Sequence, residues 1–288
     1  MITIRSSEDL VSHLNTIPRS SSIGIVMTMG ALHDGHGALI RQCASENDVT
    51  LVTMFVNPLQ FAPHEDFRSY PRTPEVDSQL CREWGASILF APEAHDVYPS
   101  SFDTHVICGV GNADRNEHSE GAYRPTFFQG VATVVAKTLA LTRADRCYFG
   151  LKDAQQCAVV KRITEDLWLR CEVVLVDTQR ESDGLAMSSR NTYLTESERS
   201  EASVLWKALC QGKKLWNGGM RDVGKLRDAV KQDITRHETL KLMYVSVCDR
   251  WTMQELHGHL PHDRRAVVLC VAAMLGRARL IDNIVLEQ

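Results

Sequence analysis

The 288-residue sequence has no C-x-x-C pair, and its nine cysteines are scattered singly from Cys43 to Cys270. An odd count without paired spacing argues against a disulfide framework and a structural zinc site, and for a reducing, cytoplasmic setting. The thiols are expected to be buried small hydrophobes. No run of 18 apolar residues occurs, so no transmembrane helix is expected. The opening, MITIRSSEDLVSHLNTIPRS, is polar and mixed in charge and lacks the apolar stretch of a signal peptide. Neither sign of charge dominates. A net charge of -4 supplies no field to recruit nucleic acid or an anionic membrane, and neither is expected as a partner. There is no H-E-x-x-H motif, no internal repeat and no low-complexity segment. The 44% hydrophobic and 24% charged residues are ordinary for a globular protein of one large domain or two smaller ones.

What is present is alternation. SIGIVMTM, DVTLVTMFVNP, ASILFAP, DRCYFG and CEVVLVDT read as strands. HGALIRQCASEN, TPEVDSQLCREWG, GVATVVAKTLALTRA and KDAQQCAVVKRITEDLW read as helices, the second with Thr73 as N-cap, Pro74 in the first turn and Gly85 as its stop. Such alternation implies an α/β fold, a parallel sheet with helices on both faces. Right-handed crossovers then place the loops after the strands along one edge, where ligands bind. After about Ser182 the pattern changes. TESERSEASVLWKALCQGKKLWNGG and DVGKLRDAVKQDITRH read as two helices; LKLMYVSVCD, RAVVLCVAAMLG and ARLIDNIVLE read as strands. The expected organisation is a domain over 1–182 and a smaller α+β domain with an antiparallel sheet over 183–288.

Four stretches could carry chemistry. In MTMGALHDGH, His33 and His36 stand three apart where a strand gives way to a helix. A helix starting near His33 would set both rings at its N-terminus, among orphan N–H groups and the positive end of the dipole. Gly30 and Gly35 allow close backbone approach. Phosphate binding, zinc binding and plain packing are the alternatives, and zinc lacks a third ligand motif. In FGLKDAQQ, Gly150 permits a tight turn, Lys152 can reach a phosphate and Asp153 can accept from a ribose hydroxyl. A capped helix start with a solvated lysine explains the same residues. In DGLAMSSRNTYLT, Ser188, Ser189 and Arg190 form a donor cluster suited to polyphosphate oxygens, or a capped polar turn. The long loop FVNPLQFAPHEDFRSYPRT offers Gln60 to a hydroxyl or carboxylate, and Gln156 offers the same from a helix. His257, His259 and His262 read as solvated loop histidines.

Taken in order, MTMGALHDGH, FVNPLQF, YPRT, GVATVV, KD-x-QQ, DGLAMSSRN and ARLIDNI resemble the pantothenate synthetases, or pantoate–β-alanine ligases, over nearly the whole chain. The resemblance implies a Rossmann-like ATP- and pantoate-binding domain of the H-x-G-H nucleotidylyltransferase type, a C-terminal lid domain and a homodimer. It implies that ATP and pantoate give pantoyl adenylate and pyrophosphate, with Mg2+ held mainly by phosphates and water rather than by protein ligands. β-Alanine then takes the acyl group, giving pantothenate and AMP. By position, His33, His36, Lys152 and Arg190 would be catalytic and would hold ATP phosphates with Ser188 and Ser189. Gly150, Asp153 and Met187 would hold adenosine, and Met29, which touches ATP too, would line the pantoate pocket with Gln60, Val134, Val135 and Gln156. The chain departs from the family pattern at Met27 (Pro), Ala62 (Gly), Phe127 (His), Leu151 (Glu) and Ala154 (Tyr). Leu151 removes an acidic neighbour of Lys152, and Phe127 removes a donor beside Arg124.

Overall fold

Runs of β-branched residues bounded by Pro, Gly or Asp become strands, and the amphipathic runs between them become helices. The computed structural model describes residues 1–63, 65–112 and 116–287. In chain order the elements are β1 (Ile2–Ile4), α1 (Ser7–Leu14), β2 (Ile23–Thr28), α2 (Asp34–Glu46), β3 (Val49–Met54), α3 (Pro74–Glu83), β4 (Ile88–Phe90), α4 (Ala94–Val97), α5 (Glu120–Tyr123), α6 (Phe127–Thr142), β5 (Arg146–Gly150), α7 (Ala154–Asp166) and β6 (Glu172–Val176). Then follow α8 (Glu196–Glu201), α9 (Val204–Asn217), α10 (Val223–Thr235), β7 (Leu240–Asp249), β8 (Val267–Leu275) and β9 (Ala278–Leu286). Two compact units result. One is made of 1–108, 126–151 and 159–177, the other of 109–125, 152–158 and 178–288. This differs from the two consecutive blocks expected from the pattern: two earlier segments join the C-terminal unit, for a reason visible in its sheet.

The first unit is a parallel sheet in the order β1-β4-β3-β2-β5-β6. β2 lies centrally, with β3 on one side and β5 on the other, so the order reverses there; that is where open α/β sheets bind ligands. Val26 pairs with Val52 and Tyr148, and Ile25 with Leu51 and Cys147. Successive residues face opposite sides, and both sets are buried, as a doubly covered parallel sheet requires. On one face Val26, Val52, Leu89 and Tyr148 pack with Ile40 and Cys43 of α2, Cys81 of α3, and Trp84. Each buried Val or Ile side chain contributes about 1.5–3 kcal/mol.

The second unit is built on the antiparallel sheet β7-β8-β9. Its odd-numbered β8 residues, Val267 to Leu275, pack with Leu280 and Ile284 of β9 against α9 and α10, where Leu205, Leu209, Trp216, Leu226 and Val230 are buried. The opposite face carries Tyr244, Ser246, Cys248, Cys270, Arg279 and Asn283. Segments 109–125 and 152–158 bond to it: Tyr244 Oη donates to Glu120 at 2.9 Å, Asn116 Nδ2 to Ser246 Oγ at 2.8 Å, and Asn283 Nδ2 to Lys152 O at 2.8 Å. Both faces of this sheet are therefore covered inside one unit.

The polar opening stretch holds β1 and α1, whose apolar content is too small to announce them, and two local expectations change. The single helix expected after Thr195 is interrupted by a turn at Ala202 and Ser203, whose dihedrals remain helical. Thr73 sits at the N-cap of α3, but its hydroxyl bonds the Asp77 carboxylate at 3.2 Å instead of a backbone N–H. Pro74 opens that helix and Gly85, at φ +97°, follows its end as expected. Among the described residues the nine cysteines form no disulfide, and seven of them are buried. Burial pushes the Cys43 thiol up to about 11 and Cys81 up to about 12, so neither is a thiolate at neutral pH.

Candidate active site

The loop from β2 to α2 departs from ordinary backbone at two successive residues, Gly30 (φ +83°) and Ala31 (φ +50°). The left-handed region is costly for alanine, so something must hold it there. That group is Asp77 of α3. Its buried carboxylate accepts from Ala31 N at 2.9 Å, Leu32 N at 2.8 Å and the Thr73 hydroxyl. Thr28 Oγ1 adds a bond from Gly30 N at 3.3 Å. A Cβ on Gly30 would stand 3.1 Å from Asp77 Oδ2, so glycine also allows the close approach.

His33 is then the N-cap of α2. Its Nδ1 accepts from Gly35 N at 3.1 Å, and His36 Nδ1 accepts from His33 N at 3.3 Å, a reciprocal capping box made of two imidazoles. Their ring centroids are 4.1 Å apart. The arrangement fixes the chemistry of both rings. A nitrogen that accepts a backbone N–H carries no proton, so each neutral ring is protonated at Nε2 and is an N–H donor there. Two donors at a helix N-terminus suit an anion.

In the same unit, Asn57 organises Gln60. Asn57 is buried and caps the 3-10 turn Pro58–Gln60; its Nδ2 donates to Gln60 Oε1 at 2.7 Å and to Gly130 O at 3.1 Å. Asn57 Oδ1 accepts from Leu59 N and from Tyr98 Oη at 2.9 Å. Burial pushes the Tyr98 phenol far up, so it remains a donor. With Oε1 turned to Asn57, the other end of the Gln60 amide is the Nε2 donor. Val135 is buried and Val134, one helical step away, is half-buried, as is Met29. Gly150 ends β5, which pairs with β2.

The second unit carries Lys152, Asp153, Gln156 and Met187–Arg190. Lys152 and Asp153 belong to a 3-10 turn running directly into α7. The Lys152 side chain is 19% exposed and pairs with Asp153 Oδ1 at 3.6 Å, which removes the solvated-lysine reading. Gln156 is half-buried, while its neighbour Gln155 is buried, accepting from Glu120 N at 3.1 Å. Ser188 caps the turn Ser189–Tyr193 by accepting from Arg190 N at 3.3 Å, so its hydroxyl hydrogen remains a donor. Asn191 Nδ2 ties this turn back to Ala186 O at 3.1 Å. His257, His259 and His262 are exposed. Among the described residues no three His, Cys, Asp or Glu side chains form a group able to hold a metal ion, and no helix is long and apolar enough to cross a membrane.

Asp77, Asn57 and Tyr98 escape a reading of the sequence alone. Asn57 carries a weak signal, an Asn-Pro step at a strand end. Asp77 carries none, since Glu75 on the same helix has the same local context.

The profile of the family described as Pantoate-beta-alanine ligase matches residues 2–285. A pantothenate synthetase of Geobacillus thermodenitrificans is 42% identical over 287 residues, covering 97% of this chain and 96% of its own. The crystal structure of pantothenate synthetase from Thermus thermophilus superposes with a TM-score of 0.91 at 38% identity, covering all of both chains. A pantoate-beta-alanine ligase from Francisella tularensis, solved in complex with Beta-gamma ATP and Beta-alanine, gives a TM-score of 0.80 at 30% identity, covering 100% of this chain and 98% of that one.

Proposed function

The chain belongs to the pantoate–β-alanine ligase family, and from that premise we propose that it joins the two substrates through a pantoyl adenylate. A carboxylate oxygen of pantoate attacks the α-phosphorus of ATP, the bond to the β-phosphate oxygen breaks, and pyrophosphate leaves. The amine of β-alanine, having lost its ammonium proton, then attacks the acyl carbon. The bond to AMP breaks, and pantothenate is released. The carboxylate is already a nucleophile, so the protein's task is to align reactants and neutralise charge that develops on the phosphates.

The observation that carries this reading is the pair of imidazoles locked by each other's caps, each an Nε2–H donor at the N-terminus of α2. Lys152, Ser188, Ser189 and Arg190 are the phosphate donors of the second unit; Gly150, Asp153 and Met187 hold adenosine. Gln60 and Gln156 hold the polar end of pantoate, with Met29, Val134 and Val135 as its apolar wall. Magnesium enters with ATP, on the phosphates, as part of the substrate. The C-terminal domain as a lid, the homodimer and a cytoplasmic location belong to the same proposal and rest on the resemblance and on the scattered thiols.

The test is an assay for AMP from ATP, pantoate and β-alanine, omitting each in turn, with 18O in the pantoate carboxylate. The expected result is AMP only with all three present, one labelled oxygen in the AMP, and pyrophosphate release from ATP and pantoate alone. ADP in place of AMP, or unlabelled AMP, rejects the adenylate.

A further inference from the structure

Asp282 and Asn283 are consecutive on β9, so their side chains leave opposite faces of the antiparallel sheet. Asp282 points into the face covered by α9 and α10 and is 4% exposed. There it takes Arg180 in a bidentate grip at 2.7 and 2.9 Å. The Arg180 guanidinium also lies 3.4 Å from the Trp206 ring centroid and donates to Gly184 O at 3.0 Å. Arg180 bridges to Ala186, and Met187 N bonds Gln179 O at 3.0 Å, so fixing Arg180 fixes the start of the Met187–Arg190 turn. Asn191 Nδ2, bonded to Ala186 O, closes the turn from its other end. Asn283 points the other way. Its Nδ2 donates to Lys152 O at 2.8 Å, which anchors the 3-10 turn before α7. Burial pushes the Asp282 carboxyl up, against the pull of Arg180 and of the nearby Lys152 charge.

We infer that Asp282 and Asn283 are positioning residues: from one point on β9 they set two separate turns, one bearing Lys152 and the other Ser188–Arg190. A strand is stiffer than either turn, and neighbouring residues on it cannot drift apart, so the spacing of the two sets of donors is inherited from a single rigid element. This rests on the proposal that those donors hold phosphate.

The experiment is a pair of double-mutant cycles on the full-length chain, read as pyrophosphate release from ATP and pantoate and as KM for ATP. Asn283→Leu keeps the volume and removes the donor. It should lower kcat/KM for ATP by between about tenfold and 10²-fold, and Asn283→Asp, which keeps the shape without an N–H, should reproduce the loss. In a Lys152→Ala background, Asn283→Leu should cost less than about twofold more, because the group it positions is gone. Asp282→Asn should behave alike against Arg190→Ala. Thermal unfolding of each variant shows that the fold is retained. If Lys152→Ala and Arg190→Ala leave the rate normal, the phosphate reading fails. If those two lose rate while Asn283→Leu and Asp282→Asn are silent, or their losses multiply in full, the positioning inference fails and the phosphate reading stands.

Discussion

His36 uses its two ring nitrogens for different ends. Nδ1 accepts from His33 N and closes the cap of α2; Nε2 carries the proton. The two roles can be separated by substitution. An asparagine amide oxygen falls near the place of Nδ1, so His36→Asn should keep the cap and lose only the distal donor. Stability should then stay within about 0.5 kcal/mol of the parent, while adenylate formation falls about 10²-fold or more. His36→Ala removes both nitrogens and should add a loss of about 1 kcal/mol, the usual worth of a cap. Denaturant unfolding gives the first quantity and pyrophosphate release the second. A His36→Asn enzyme with near-normal turnover would remove Nε2 from the mechanism. The two histidines are legible in the sequence because their spacing and the strand before them are local facts. The tautomer is not, because it depends on which backbone N–H groups the folded loop aims at each ring.

At the level of elements, α6 and the turn Pro58–Gln60 meet without a side chain between them. A Cβ on Gly130 would overlap Leu59 O and lie 2.8 Å from Gln60 N, inside contact distance with backbone on both counts. Gly130 O is also an acceptor for Asn57 Nδ2. Gly130→Ala should therefore push the turn off the helix and carry Gln60 with it. The expected cost is about 1–3 kcal/mol of stability, with KM for pantoate raised at least about tenfold and KM for ATP nearly unchanged. A variant with normal pantoate affinity would show that Gln60 is not held from α6. The helix itself is legible, since an apolar run ending in Arg143-Ala144 matches Phe127–Thr142 closely, and so are the strands. The contact is not. Nothing in QGVATVV distinguishes a glycine that admits a backbone from one that merely weakens a helix. Asp77, one of two acidic residues in the first turn of α3, is hidden for the same reason: which one is buried is decided by the loop it meets.

For the whole molecule, the order of elements along the chain does not give the order of assembly. Alternation before Ser182 and its loss afterwards announce two kinds of structure, and both are present. The inserted segments 109–125 and 152–158 are not announced, because they look like any loop and any helix start until the face they cover is known. That face sets the last prediction. In residues 183–288 expressed alone, Arg279 would lose the Glu120 carboxylate that accepts from it at 2.6 and 2.7 Å, and Tyr244 would lose the same acceptor. Tyr244 would also lose its stacking on Tyr123, Ser246 its bond from Asn116, and Asn283 its bond to Lys152 O. Stranding one partner of a buried ion pair costs about 3–5 kcal/mol, and exposing the apolar part of that face adds to it, against a total stability of about 5–15 kcal/mol for a domain. The fragment should show no cooperative thermal transition and should bind a hydrophobic dye. Adding a separately produced 1–182 fragment, which carries the missing segments 109–125, 152–158 and 178–182, should restore cooperative melting. A monomeric 183–288 fragment with a sharp transition of its own and well-dispersed amide resonances would show instead that it folds without Glu120, Arg180 and the covering segments.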